Sequence, residues 1–509
     1  GELDASSKSN KGGRIEITGK NVALKAAKLD ASGATGGGTV RVGGGYQGGE
    51  NIARAKTTSV DSKTTINASA TQNGDGGNVV IWSDDRTSYA GSISAQGGAQ
   101  SGDGGKVEVS GKAVLDFQGK VDTSAAHGKT GELLLDPYNL TIVTGSGGNL
   151  TASANDSTLG ADTLTGLLAN SLVRISTGRA GDGGTQAGDL TVNAALSWAS
   201  TNSLILQAAG KISINSAITA NLARLVLNSG SGQDVVISAP LKLNTLAINS
   251  GGRISIGNNI TLSGTGTDIL TMTYATYSIS SDMTNFAVST ARLTGTYELK
   301  GKINLRPDAQ GTASTVSING RSYNVIYNEA QLRAMRSTLG ASYVLASDID
   351  LSSANYTSTG DFNNRFYGHF DGFGHVIMNM TVVSAQQMGF FGATQSSVIS
   401  HVDFDNAVVV KQIGVSGTVG VVVGYANGTS IFDVAVTRSQ AILDTDLGYG
   451  GGIIGSSDTS NSMLPNTLVQ VSYSGSVLGH YAGGLVGNFY GDILQSFANV
   501  TLVEGAKFV

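Results

Sequence analysis

The stretch Gly74–Asp122 is written twice. Gly74-Asp75-Gly76-Gly77 returns 28 residues on as Gly102-Asp103-Gly104-Gly105. Val79 and Ile81 return as Val107 and Val109, and Ile93 and Ala95 as Val121 and Thr123. A long chain that repeats at such an interval is a solenoid, because each copy buries its apolar side only by stacking on its neighbours. Within each copy three short runs alternate apolar and polar residues between Gly, Ser and Asp turns. Alternation with period 2 puts the apolar residues on one face of a strand. Three short strands per coil of roughly 20–30 residues predict a parallel β-helix.

Composition narrows the function classes. The 509 residues include 72 Gly and 4 Pro, and 14% are charged, the mix for many strands and tight turns. With no Cys there is no thiol nucleophile and no zinc–thiolate site. A Cys-free extracellular rod also crosses a periplasm without being locked by oxidation, which fits export. Net charge is −5, so there is no basic footprint for nucleic acid. No run of about 18 apolar residues occurs, so no helical membrane span is expected. No signal peptide is visible, and both ends fall in mid-pattern, so the chain reads as a piece of a longer polypeptide.

The first region runs over 1–143. Gly12-Gly13-Arg14-Ile15-Glu16-Ile17 starts one coil and Gly37-Gly38-Thr39-Val40-Arg41-Val42 the next. Leu3-Asp4-Ala5-Ser6 and Leu29-Asp30-Ala31-Ser32 mark matching strands. Between Gly43 and Ile66 the spacing stretches, so Gly45–Thr64 is expected to be a loop thrown out from the coil, either a binding loop or a cover over the edge strand. Pro137 removes a ladder donor, and the repeat changes character there.

Four passages in this region carry a resemblance: GGYQGG from Gly44, NASATQNGDGGNVVIWSDDRT from Asn67, GSISAQGGAQSGDGGKVEVSGK from Gly91 and GKTGELLLDPYNLTI from Gly128. Together they resemble the large two-partner-secretion exoproteins of Gram-negative bacteria, the filamentous-haemagglutinin-like and high-molecular-weight adhesins and the haemopexin-binding exoproteins. The family's secretion domain is not in the sequence. The resemblance implies a right-handed parallel β-helix exported through an outer-membrane pore partner to the cell surface.

The second region, 144–319, holds an apolar passage around Leu164, Leu167 and Leu168. It fits a short helix capped by Asp162, and equally a strand preceded by a turn. A regular repeat follows. Leu204/Leu206, Leu225/Leu227 and Leu246/Ile248 are spaced by 21 residues, with Ile212, Val235 and Ile254 in a second set and Ile218, Leu241 and Ile260 in a third. Asn228, Asn244 and Asn249 are expected at turns, stacked as a ladder. From Asp268 the rhythm is lost, and irregular coils or a hairpin are expected.

The third region, 320–509, opens with a short α-helix near 328–339, with Asn328 as cap, Gln331 at the capping-box position, and Leu332, Met335, Arg336 and Leu339 on one side. Four related turns follow: Gly389-Phe390-Phe391-Gly392, Val421-Val422-Val423-Gly424, Gly452-Ile453-Ile454-Gly455 and Gly484-Leu485-Val486-Gly487. Their last glycines are 32, 31 and 32 residues apart. The pattern resembles the GLUG repeat of bacterial surface proteins, with the apolar pair pointing inward and Gly allowing the corner. The whole chain is thus expected to be all-β, a solenoid in consecutive segments.

Chemistry is sparse. His369 and His375 lie six apart without flanking metal-ligand spacing, so no metal and no cofactor are expected, and His375 is read as a hydrogen-bonding turn residue. The pairs Asp348/Asp350, Asp403/Asp405 and Asp444/Asp446 each put two carboxylates on one strand face, the minimum for glycoside hydrolysis. Asp348 and Asp350 flank a turn, and no Arg or Lys clusters with them in sequence. No catalytic residue is assigned. The passage Tyr356–Phe373 is different, because aromatic faces beside Asn, Asp and Arg suit carbohydrate. Phe366, Phe370 and Phe373 are expected inside. Tyr356, Phe362, Asn364, Arg365 and Tyr367 are expected outside, and Tyr356, Asn364, Arg365 and Tyr367 form the candidate ligand site. The reading is a non-enzymatic surface adhesin whose partner is a carbohydrate or host receptor. Its alternatives are capture of a host haem carrier through Gly45–Thr64, as the resemblance implies, and a polysaccharide-cleaving enzyme.

Overall fold

The computed structural model describes residues 1–147, 156–178, 186–264, 269–279, 283–287, 290–299, 301–306, 315–384, 387–411, 416–443, 448–459, 464–504 and 507–508. Their regular structure is nearly all strand, paired in long parallel ladders of successive coils, a parallel β-helix. The chain divides into two compact units, the first built mainly from Gly1–Gly264 and the second mainly from Glu298–Val509.

In the first unit the written repeat is also a stack. Val79 pairs with Val107, Ile81 with Val109 and Ile93 with Val121. Leu3 pairs with Leu29, and Ile15 with Val40. One ladder runs from Arg14–Ile17 through Thr39–Val42, Asn78–Ser83, Lys106–Gly111, Glu132–Leu135 and Leu172–Ser176 to Leu204–Gln207. Coils therefore pass unbroken through the boundary expected at 143/144.

The ambiguous apolar passage is a helix, α1 (Ala161–Asn170), so the described residues include two short α-helices where one was expected. Leu164, Leu167 and Leu168 are its buried side. Its N-cap is Gly160, not Asp162, which sits in the first turn, where a carboxylate favours the helix dipole. α1 lies against Lys120–Asp122, the last strand of a five-stranded sheet. There the Thr123 N–H donates to the Asn170 carbonyl at 3.3 Å, and the Thr123 and Ser171 hydroxyls meet at 2.9 Å. The helix thus covers an edge that would otherwise expose its backbone.

Beyond α1 the 21-residue sets stack as spaced. Leu204, Leu225 and Leu246 form one ladder, Ile212, Val235 and Ile254 another, and Ile218, Leu241 and Ile260 a third, all fully buried. Each such side chain contributes about 1.5–3 kcal/mol on leaving water. Asn249 Nδ2 donates to Asn228 Oδ1 at 2.9 Å, so two of the three asparagines stack, on strands and not at turns, while Asn244 Nδ2 donates instead to the Leu222 carbonyl at 3.4 Å. Parallel pairing also continues into the passage expected to hold irregular coils or a hairpin: Leu246 pairs with Leu270 in the first unit, and Met283 pairs with Ile303, with a register shift before Phe286, and Leu293 with Ile318 in the second.

In the second unit, Thr315–Ile318 turns back antiparallel onto Arg321–Ile326 through Asn319 (φ 51°) and Gly320 (φ 78°). Two left-handed residues in a two-residue loop match the twist of paired strands, and Asn-Gly is the sequence that adopts them. Strands then run parallel again through Tyr343–Leu345 and His369–Asp371. Both faces of the sheet are buried here, with Val344 on the Val316 side, but the side that faces the main core changes. Val316, Ile318, Tyr323 and Val325 share one side of the sheet, whereas Ile326, Tyr343, Leu345 and Phe370 belong to the core on the other.

The second helix, α2 (Glu329–Ala334), ends sooner than expected and passes into a 3₁₀ turn over Met335–Ser337. Its capping box is formed: the Gln331 N–H donates to Asn328 Oδ1 at 3.0 Å and the Tyr327 N–H to Gln331 Oε1 at 2.7 Å. The four glycine-ended turns stack coil on coil, Phe391 N–H to Val422 O (2.9 Å), Val422 N–H to Ile453 O (3.1 Å) and Ile453 N–H to Leu485 O (2.8 Å), with the apolar pairs of the first three fully buried and Leu485 and Val486 half-buried. Their glycines are required by close approach and not by a positive φ. A Cβ on Gly392 would lie 2.3 Å from the Gly360 carbonyl, and one on Gly424 2.5 Å from the Met388 nitrogen.

Candidate functional site

The long connection between Ile349–Asp350 and His369–Asp371 carries the site. Its anchors are inside. Tyr356 stacks on Phe390 (centroids 5.2 Å apart) and Phe366 on Phe391 (4.6 Å). Both flanks add to the edge of the Phe391–Gln395 strand: the Thr359 N–H donates to Phe390 O at 3.0 Å, and the Phe366 N–H to Ala393 O at 3.0 Å. Between them Gly360–Arg365 is pushed outward. Asp361 shapes the bend, its Oδ1 accepting the N–H groups of Asn363 and Asn364 at 2.8 Å each.

Tyr356, expected outside, is only 2% exposed. Its ring fills the aromatic core and its hydroxyl lies 2.7 Å from Thr359 Oγ1. Burial pushes its phenol up to about 12. A residue at the foot of an excursion is needed as a peg, and here the large ring serves. Phe366, Phe370 and Phe373 are inside as expected.

The structure brings Asn364, Arg365 and Tyr367 together in one open groove of about 1490 Å³, with Phe362 and Asn363 from the same loop, Arg336 from the turn after α2, and Gln387 and Gln395 from the following coil. Tyr367 and Phe362 are 62% and 47% exposed. The Tyr367 ring rests on Gly340, where a Cβ would lie 2.4 Å from it. The Arg365 guanidinium sits over the Phe362 ring (4.8 Å) and the Tyr425 ring (5.2 Å), and the two rings meet edge-on at 5.4 Å. Tyr425 is fixed in turn by donating its hydroxyl to the Asp458 carboxylate. Burial, reinforced by that carboxylate, pushes its phenol up to about 12, so it remains a neutral donor at physiological pH. Sequence reasoning missed Arg336 as a groove residue, and missed Gln387, Gln395 and Tyr425, because they come from other turns or coils.

Rings, amides and guanidinium groups bind and do not by themselves catalyse. Asp361 is the one carboxylate among the described lining residues, and its turn occupies it. The other acid pairs are engaged elsewhere. Asp348 accepts from Lys302 Nζ at 2.8 Å and from the Val376 N–H at 3.0 Å, and faces His375 Nδ1 at 3.1 Å. Burial alone would raise its carboxyl, but the hydrogen bonds from His375 and Lys302 hold it well below the usual range. This corrects the sequence reading that no Lys clusters there, since Lys302 arrives from another coil. His375 is fully buried at its turn, with Nε2 2.9 Å from the Ile303 carbonyl. Burial pushes Asp403 up to about 6 while it accepts the Ala435 N–H at 3.0 Å. Asp405 is paired with Arg438. Asp444 and Asp446 lie outside the described residues.

The Gly45–Thr64 loop folds back instead of projecting. The Gln47 N–H donates to Glu108 at 2.9 Å, Arg41 pairs with Glu50 at 2.7 Å, and a Cβ on Gly48 would lie 2.7 Å from the Trp82 ring. Thr57–Val60 is already a ladder strand, so the excursion ends at Lys56. Among the described residues no group of three His, Asp or Glu could hold a metal ion, and no helix is long and apolar enough to cross a membrane. A scan of the chain against protein-family models found no match, and neither did a search of curated proteins.

Proposed function

We propose that the chain is part of an exported bacterial surface adhesin of the two-partner-secretion type, non-enzymatic, whose ligand-binding groove takes carbohydrate. The observation that carries the reading is the pair of exposed rings, Phe362 and Tyr367, mounted beside Arg365, Asn363 and Asn364 on a loop pegged by buried aromatics. Sugars bind by stacking on rings and by hydrogen bonds to planar amide and guanidinium groups. Single contacts of this kind are weak and gain strength from many copies on a cell surface. The motif resemblance in 37–143 supports export through an outer-membrane pore partner and a place outside the cell. Capture of a haem carrier by Gly45–Thr64 is less favoured, because that loop is tied to Glu108 and Trp82.

The test is the double change Phe362→Ala/Tyr367→Ala. Both side chains are largely exposed, so the melting temperature stays within about 2 °C. Glycan-array binding and cell aggregation fall at least about tenfold, the loss of roughly 1.4 kcal/mol of stacking. Unaltered binding by a folded variant removes the groove from the function.

A further inference from the structure

We infer that the groove takes an acidic saccharide chain, carboxylated or sulfated, in preference to a neutral one. The inference rests on the carbohydrate reading above and specifies its ligand class. Two guanidinium groups line the groove, Arg336 and Arg365. Arg336 donates to the Arg333 carbonyl (3.2 Å) and Arg365 to the Phe362 carbonyl (3.3 Å), and among the described residues neither has a carboxylate within ion-pair distance.

Three other buried or half-buried arginines hold carboxylates. Arg333, in the preceding turn, holds Glu329 at 2.7 Å, Arg41 holds Glu50 at 2.7 Å, and Arg174 holds Glu132 at 2.6 Å. The groove's one carboxylate, Asp361, already accepts two backbone N–H groups and lies in the loop's own bend. The lining thus carries two positive charges against one negative charge in a protein whose net charge is −5. A guanidinium presents parallel N–H donors that match the two oxygens of a carboxylate or sulfate. Arg365 is also held between the Phe362 and Tyr425 rings, so little side-chain freedom is lost when an anion arrives. Neutral sugars use the rings, the amides and the guanidinium N–H groups, but gain no attraction between opposite charges.

The experiment is calorimetric titration of the full chain with three oligosaccharides of similar length: oligogalacturonate, sulfated dextran and plain dextran. At least one anionic chain is expected to bind about tenfold or more tighter than dextran, and which one tells carboxylate from sulfate recognition. Raising NaCl from about 50 to 300 mM weakens that binding and leaves dextran unchanged. Arg336→Gln, at an exposed position, lowers anionic binding several-fold, and Arg336→Gln/Arg365→Gln lowers it at least about tenfold, a larger fall than the same changes cause for dextran. Circular dichroism melting checks the fold, and the single Arg336 variant keeps the test informative if Arg365 proves necessary for packing. Equal binding of dextran and the anionic chains, or arginine variants that lose nothing, overturns the acidic-ligand inference. If that dextran binding still falls with Phe362→Ala/Tyr367→Ala, the carbohydrate reading survives. If wild type binds none of the three, both fail.

Discussion

The two compact units stack coils in the same way but fill them differently. The first has turns as short as the 21 residues between Leu204 and Leu225, and the inward ladders of those short coils are Leu, Ile and Val. The second adds further ladders to each coil, Phe391–Gln395 on Val423–Asn427 and Ile454–Asp458, and Gly417–Gly420 on Gly448–Gly451. Its core holds an aromatic cluster, with Phe366, Phe370, Phe390, Phe391 and Phe404 packed at centroid distances of 4.6–5.7 Å. A wider cross-section must still reach crystalline packing density, and large rings fill it where aliphatic chains would leave voids. A longer coil also has connections long enough for one of them to leave the surface. The groove follows from coil size.

The comparison can be broken by mutation, because Trp82 and Trp198, the two tryptophans, are both buried in the first unit. Tryptophan fluorescence therefore reports that unit alone. Leu227→Asp should have the largest effect, since Leu227 is fully buried between Leu206 and Ile248. A charge placed there costs on the order of 4 kcal/mol or more and moves the tryptophan transition in urea. An unmoved transition means the ladder register is wrong. Phe390→Ala is expected to cost about 3–5 kcal/mol in the second core and to leave the tryptophan signal in place. If both variants shift the tryptophan transition alike, the two cores unfold as one and the contrast drawn here fails.

The smallest effect is electrostatic. Burial pushes Glu108 up to about 7, against the Gln47 N–H and Ser110 hydroxyl that favour its ionised form. A carboxyl raised on folding is most favourable when protonated, so the first unit loses stability as pH climbs from about 4.5 to 7 and stays lower above that. Glu108→Gln keeps a neutral side chain at every pH. Denaturation of wild type and variant at pH 4.5 and 8, followed by tryptophan, should differ in slope by on the order of 1–3 kcal/mol. Equal slopes would show that Glu108 stays ionised in the fold.

Most of the first unit was legible in the sequence because its coils repeat at nearly fixed intervals, and pairing such as Leu204 with Leu225 follows from counting. α1 was not resolved, since Leu164, Leu167 and Leu168 fit either a helix face or a strand after a turn. The short Asn319-Gly320 signal was overlooked inside a passage without rhythm. At the groove, Arg365 and Tyr367 were found from composition. Arg336 and Tyr425 are brought in by coil stacking, which linear spacing does not reveal for coils of unequal length. Tyr356 was misplaced because a loop has no period to say which way a ring points.

The Asn319-Gly320 turn has a geometric consequence. It reverses strand direction while the ladder goes on adding strands at the same edge, from Thr315–Ile318 to Arg321–Ile326 to Tyr343–Leu345. Reversal alone would convert the winding into its mirror image, which L-residues and their twisted strands disfavour. Because the side that faces the main core changes from Val316 and Tyr323 to Ile326 and Tyr343, two inversions occur together and cancel. The screw sense implied by the pairing is therefore the same on both sides of the turn.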